Sequence, residues 1–364
     1  MKTILTLDAG GTNFVFSAMA GGRSVAESIV LPACADRLDA CLNNIISGFS
    51  RVRDSLDSTP AAISFAFPGP ADYPAGIIGD LPNFPSFRGG IPLGPILEDK
   101  FGIPVFINND GKLFAYGEAT AGVLPEVNRR LEESGSARQY RNLIGVTLGT
   151  GFGGGAVIDG RLLLGDNGTG GDLWCLPDSV ETGCIAEESV SIRAVRRVYK
   201  TLSGDCRELT PYDIFRIAEG DADGDAAAAQ ASFGRLGKAA GATLATAATL
   251  IDGIIAVGGG VAGAAKYIIP ALVAEMNSAL RLLDGTSIGR MQAKVYDLDD
   301  PAQFALFAAD DTEMIAVPGT SRAVPYRRAK KTGVAVSRMG APAAISMGAY
   351  HFAINNLKTK NTIL

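Results

Sequence analysis

The chain has 364 residues, 47% of them apolar, and a formal net charge of −5. That length exceeds what one hydrophobic core comfortably fills, so two domains are expected, and the acidic balance excludes a nucleic-acid partner held by bulk electrostatics. No apolar run approaches the roughly 18–20 residues of a bilayer span. Five scattered cysteines without an export-type leader point to reduced thiols, a cytoplasmic location and no membrane attachment. A single histidine, His351, excludes any mechanism that needs two.

Ile4-Leu5-Thr6-Leu7 and Phe14-Val15-Phe16 are β-type runs on either side of a glycine turn, LDAGGTN, so residues 4–19 read as a hairpin. Ser28 to Leu31 reads as a third strand. Leu38, Leu42, Ile45, Ile46 and Phe49 recur at helical spacing and predict an amphipathic helix over 36–56, with Cys34 and Cys41 around its core face. Ala61 to Phe67 reads as a buried strand ended by Pro68-Gly69-Pro70. Residues 70–95 are too rich in proline and glycine for a long element, and loops beside a cleft often touch substrate. Pro104 to Ile107 is a short strand that runs into Asn108-Asn109-Asp110 and a helix over 111–121.

The charged stretch Glu126 to Arg141 reads as a surface excursion. Leu143 to Thr147 and Ala156 to Ile158 flank a second glycine turn, LGTGFGGG. Helices are expected over 187–202 and 226–250. The run Ile254 to Val257 enters a third glycine turn, Gly258-Gly259-Gly260, and Pro270 is placed to open the next helix. Residues 290–332, with acidic groups at Asp297-Leu298-Asp299-Asp300 and Asp310-Asp311 and basic ones at Arg327-Arg328 and Lys330-Lys331, take no assignment. Ala341 to Leu357 reads as a closing helix in which His351 is structural.

Glycine lets backbone N–H groups approach an anion, because no Cβ stands in the way. Two strand–turn–strand units facing each other can hold a phosphate chain from both sides, and with the third turn the set reads as a nucleotide cleft between two domains. Asp8 ends the first strand. A carboxylate beside phosphates repels them unless a cation lies between, so Asp8 is a candidate Mg²⁺ ligand, directly or through water. The alternative is a turn aspartate bonding its own backbone. Thr12 and Thr150 add hydroxyls. Asp110 is either a helix cap or a general base for an attacking hydroxyl, with Asn109 binding a neighbouring one. Asp172 lies beside Trp174, the only tryptophan, a pairing common in carbohydrate sites. A core tryptophan with a solvated aspartate is the other reading. Alone, Glu187 and Glu188 are an ordinary acidic pair at a helix start.

In order and spacing, LDAGGTN, Asn109-Asp110, LGTGFGGG, GDNGTGGDLW, Gly183-Cys184 and the GGG turn resemble the ROK sugar kinases of the actin-like ATPase superfamily. The resemblance runs from Ile4 to Gly348-Ala349. It implies an α/β fold of two actin-like (ribonuclease H-like) ATPase domains around a cleft. Residues 1–115 would form the N-terminal domain and 116–340 the C-terminal one, with the closing helix 341–357 packing on the first. It implies ATP- and Mg²⁺-dependent transfer of a γ-phosphoryl group to a hydroxyl of a hexose or an amino or N-acetyl sugar.

By motif, Asp8, Gly10, Gly11 and Thr12 would face the phosphates from one domain, and Thr150, Gly151 and Gly153 from the other. Gly259 and Gly260 would lie near the adenosine. Asp110 would be the base, and Gly69, Asn83, Asn109, Asp172 and Glu187 would line the sugar. The resemblance also implies a homo-oligomer, dimer or tetramer. Family regulators carry a helix-turn-helix ahead of the first turn, and with only seven residues before Asp8 none is expected here. A catalytically inactive sugar- or nucleotide-binding protein, or a sugar-responsive regulator lacking a DNA-binding domain, is the alternative.

The family's Gly-Glu-x-Gly-His reads Gly171-Asp172-Leu173-Trp174-Cys175, and its Gly-Cys-x-Glu reads Gly183-Cys184-Ile185-Ala186-Glu187. The zinc-binding histidine and two of its cysteine partners are missing, so no structural zinc is expected. The changes leave the phosphoryl machinery and alter the sugar end, where Trp174 either stacks on the sugar ring or, the favoured reading, fills the space the histidine left.

Overall fold

The computed structural model describes residues 1–82 and 84–360. β1 (Thr3–Ala9) and β2 (Asn13–Ala20) form an antiparallel hairpin closed by Gly10-Gly11-Thr12. β3 (Arg23–Ser24) and β4 (Ile29–Pro32) pair with the outer side of β2. After α1 (Leu38–Asp54), β5 (Ala62–Ala66) runs parallel to β1. The proline-rich loop carries only a short ladder, β6 (Ala71–Asp72) with β7 (Ile77–Ile78), before α2 (Leu93–Phe101). β8 (Val105–Asn108) then lies parallel to β5. β1 and β5 are buried along most or all of their length, which is why they read as nearly continuous apolar runs. One face packs Phe14, Phe16, Phe65 and Phe67 against Phe49 of α1 and against Phe84 and Phe87 of the loop.

Asn109 caps α3 (Asp110–Thr120), its side chain accepting from the N–H groups of Gly111 and Lys112. The expected surface excursion is instead largely a helix, α4 (Val123–Glu133), with Val123, Leu124, Val127 and Leu131 buried. Those residues share one helical face. Glu126, Arg129 and Glu133 pair on the outside, and their charge obscured the apolar period.

β9 (Leu143–Leu148) and β10 (Phe152–Ile158) repeat the first hairpin, closed by Gly149-Thr150-Gly151. β11 (Arg161–Leu162) extends the edge. Three helices follow: α5 (Ile192–Ser203), α6 (Pro211–Glu219) and α7 (Ala226–Ile251). β12 (Ile254–Gly258) is parallel to β9. α8 (Ala265–Met276) contains Pro270 in its interior. The helix starts earlier than expected because a 3₁₀ turn over Gly260–Ala264 feeds directly into it. The unassigned stretch holds β15 (Lys294–Asp297), α9 (Pro301–Ala308) and a hairpin of β16 (Thr312–Ala316) and β17 (Ala323–Arg327), and it follows a hairpin of β13 (Ala279–Arg281) and β14 (Ser287–Gly289). β18 (Lys331–Val336) completes a sheet of order β11-β10-β9-β12-β18-β15.

The last helix, α10 (Ala341–Lys360), covers the second face of the first sheet, where Tyr350 and Ala353 meet Ile4, Met19 and Ala62. It also crosses α3. A methyl group at Gly348 would fall on the Leu113 carbonyl, and one at Gly117 on the Ala344 carbonyl. On its other side α3 rests directly on β9 and β10, where a methyl at Gly145 would strike Ala115 and one at Gly111 the backbone of Gly154. Among the described residues, no helix is long and apolar enough to cross a membrane.

Candidate active site

β1, β5 and β8 are parallel, so their carboxyl ends meet at one edge, where ligands of open α/β sheets bind. That edge brings together Asp8 from β1, Phe67 and Pro68 after β5, and Asp110 after β8. Asp8, Gly11, Pro68, Phe84 and Asp110 line one cavity of about 280 Å³. Asp8 is open to the cleft, yet desolvation by the surrounding protein raises the pKa of its carboxyl from the ordinary value. Among the described residues no ion pair engages it. A partly desolvated carboxylate without a counter-charge is the electrostatic setting for a cation. Gly11 has open space around it, and the carbonyl of Thr12 accepts from Ala33 N–H at 2.9 Å.

Asp110 opens α3 and is exposed to the cleft, with Oδ1 accepting from Gly111 N–H at 2.8 Å. Asn109 accepts from Gly111 N–H at 2.9 Å and Lys112 N–H at 3.3 Å through Oδ1, leaving its amide hydrogens facing away from the helix. Tyr73 is a neighbour that sequence reasoning missed. Its hydroxyl donates to the Phe67 carbonyl at 3.0 Å. Burial pushes this phenol well above its ordinary range, a hydrogen bond from Asn109 works against that, and the charges of Asp110 and Asp172 add to it. Asn109, Asp110, Asp172 and Tyr73 therefore share one locale. Gly69 makes room for it: a Cβ there would stand 3.1 Å from the Tyr73 hydroxyl. Asn83 lies outside the described residues.

Asp172 follows the second hairpin and pairs with Lys112 at 2.9 Å. Lys112, a buried lysine on α3, also donates to the Gly168 carbonyl. The expectation that Trp174 fills a vacated space is not met. Trp174 is 42% exposed, whereas Leu173 of the same 3₁₀ turn is buried. The turn spends its one inward position on the leucine. Glu187 contacts the second glycine turn: Oε2 accepts from Phe152 N–H at 3.0 Å and Oε1 pairs with Arg193 at 3.3 Å. Arg193 also donates to the Thr150 carbonyl at 3.2 Å. These contacts are not with Asn109 or Asp110.

Gly149, Thr150 and Gly260 line a second cavity, of about 540 Å³, with Thr210, Tyr212 and Phe215 from the start of α6. Gly259 has φ +92° and sits where a methyl would overlap the Leu148 carbonyl. Gly151 lies against Glu187, and Gly153 against Thr147 and α3. Tyr212 and Phe215 were missed, although Thr210-Pro211-x-Asp213 carries a capping-box signature with proline at the first helical position, and the structure forms that box.

Cys175 and Cys184 are exposed free thiols. No group of three or more His, Cys, Asp or Glu is arranged for a metal among the described residues. The loop between them is tied by its own backbone, Asp178 N–H to Cys184 carbonyl at 2.9 Å and Ala186 N–H to Leu176 carbonyl at 2.8 Å. Asp178 Oδ1 accepts from Val180 N–H at 2.7 Å.

Two α/β halves, each carrying a three-residue turn between its first two antiparallel strands, define the actin-like ATPase fold. The ROK family model matches residues 4–288, and the chain belongs to the ROK family. It is similar to the crystal structure of a glucokinase from Parabacteroides distasonis, with 60% identity and a TM-score of 0.90 over 97% of this chain and 98% of that one. A ROK hexokinase from Thermus thermophilus shares the fold, with 20% identity and a TM-score of 0.67 over 97% of this chain and 99% of that one. A Thermotoga maritima glucokinase is 28% identical over 171 residues, 47% of this chain and 49% of the relative. A Vibrio cholerae N-acetyl-D-glucosamine kinase is 30% identical over 168 residues, 46% and 50% of the two chains. The matched stretch thus spans about half the length of these curated relatives.

Proposed function

We propose that this protein is an ATP-dependent sugar kinase that transfers the γ-phosphoryl group to a hydroxyl of glucose or a close glucose analogue. The observation that carries the reading is Asp8 and Asp110 lining one cavity at the strand ends, with a larger cavity beside the second glycine turn. Likeness to a glucokinase at 60% identity supports it. In this reading Asp110 accepts the proton of the attacking hydroxyl, and Asn109 and Asp172 bind neighbouring hydroxyls. Tyr73 holds Asn109 in place. Tyr212 and Phe215 supply apolar surface for the base, with Gly260 leaving room for the nucleoside.

The residues present fit Mg²⁺. This ion keeps several waters and takes phosphate oxygens, so a single protein carboxylate suffices, and Asp8 is a partly desolvated one without a counter-charge. Asp8 would hold it, and the bound ion would neutralise charge between the carboxylate and the phosphates. General-base assistance of the kind assigned to Asp110 contributes typically 10²–10⁴ in rate.

The test is ADP release with Mg-ATP across D-glucose, D-mannose, N-acetylglucosamine and N-acetylmannosamine. Turnover on at least one of the four is expected, with glucose favoured. Sugar binding by calorimetry without ADP release would instead identify a non-catalytic binding protein. Sedimentation would test the homo-oligomer.

A further inference from the structure

We propose that Lys112 is a positioning residue that fixes which carboxylate oxygen of Asp172 is offered to the sugar. The inference rests on the reading of Asp172 as a sugar ligand. The Lys112 side chain is 2% exposed, and lysine is almost never that buried without a partner. Its ammonium holds two partners at once, the Gly168 carbonyl and Asp172 Oδ1. Those two groups stand at the two ends of one short turn.

That turn has little stiffness of its own. Gly168 and Gly171 have φ of +73° and +79°, Gly170 lies between them, and glycine leaves the backbone many alternatives. Its internal bond, Asp172 N–H to the Thr169 carbonyl, is 3.2 Å long. The Gly170 N–H donates to the Leu164 carbonyl at 2.8 Å and holds the middle of the turn, while the buried ammonium holds its two ends.

Lys112 is itself held. It lies two residues after Asp110 on α3, and a Cβ on Gly155 would come within 2.8 Å of its Cα, so helix and strand are in backbone contact there. The base and the Asp172 carboxylate come from distant parts of the chain, and Lys112 is the direct link between them. Because Oδ1 is taken, the partly exposed remainder of the carboxylate faces outward. A side chain one methylene shorter than the family's glutamate is then presented in one orientation instead of several.

The experiment compares native protein, Lys112→Met, Asp172→Asn and the double variant, with D-glucose as the probe sugar. Thermal melts accompany steady-state kinetics for both substrates. Lys112→Met is expected to raise the glucose KM at least tenfold, leave the ATP KM within twofold, and lower kcat less than it raises the glucose KM. Adding Lys112→Met to Asp172→Asn is expected to change the glucose KM by less than twofold, since no carboxylate then remains to be held. The proposal is overturned if Lys112→Met leaves the glucose KM within twofold of native, or if the two substitutions multiply in the double variant. Should one single variant fail to melt cooperatively, the double variant, neutral at both positions, is compared with the other single on the same criterion. A normal effect of Asp172→Asn with a silent Lys112→Met sinks this inference alone. A silent Asp172→Asn sinks the sugar-ligand reading as well.

Discussion

Asp110 sits in the first turn of α3 with one oxygen on the Gly111 N–H and the other side of the group open to the cleft. Asp110→Asn keeps the Asn109 cap and an oxygen for the Gly111 N–H, and removes the proton acceptor. Turnover is expected to fall by roughly 10²–10⁴ while the glucose KM changes little; a variant with native turnover on the true substrate removes Asp110 from the base role. For Asp8 the readout is the cation. Asp8→Asn is expected to raise the Mg²⁺ concentration giving half-maximal rate by about tenfold or more, and an unchanged Mg²⁺ titration contradicts the assignment. Tyr212 is 69% exposed beside the second glycine turn. Tyr212→Ala is expected to raise the ATP KM by roughly three- to tenfold, the range an aromatic face contributes, with the glucose KM unmoved.

At the scale of elements, the two glycine hairpins were legible because each announces itself locally: an apolar run, a turn of small residues, another apolar run. Asn109-Asp110 was legible for the same reason, as a strand end that becomes a helix start. Lys112 was not. A lysine two residues into a helix reads as solvent-facing, and only a carboxylate far along the chain makes its burial tolerable. Tyr73 was hidden in a proline-rich loop with no period to read, and Trp174 was given an inward role that Leu173 holds. The glycines of α3 and α10 carry no local sign that two backbones meet there, yet that crossing is sterically demanding. Gly348→Ala would place a methyl on the Leu113 carbonyl, and since the obstacle is backbone the helices must part. A loss of about 3 kcal/mol or more is expected, seen as a lower midpoint in thermal unfolding; an unchanged midpoint means the crossing has slack. α10 also carries His351, whose pKa is lowered by burial first and by Lys358 second. The unfolded chain therefore takes the proton before the folded one does. Stability from this group is present above about pH 6.5 and is lost as pH falls through the folded value. His351→Gln is expected to flatten that part of the melting-temperature profile.

At the scale of the whole molecule, the loop between Cys175 and Cys184 is closed by backbone bonds and by Asp178. Metal analysis of the purified protein is expected to give well under one zinc per chain, and about one zinc retained through gel filtration would contradict it. The order in which the chain is laid down has a consequence of its own. The face of the first sheet that bears Ile4, Met19 and Ala62 is covered by Tyr350 and Ala353 of α10. A ribosome that has released the first strands has therefore delivered a sheet with one bare side. That side waits through the synthesis of the entire second half before its cover emerges. The second sheet, whose strands and flanking helices lie between Asp110 and Val336, has its parts in hand sooner. Assembly should thus run against chain order, with the first domain finishing last. Until it does, the apolar side of β1 is the surface a chaperone would find on the nascent protein.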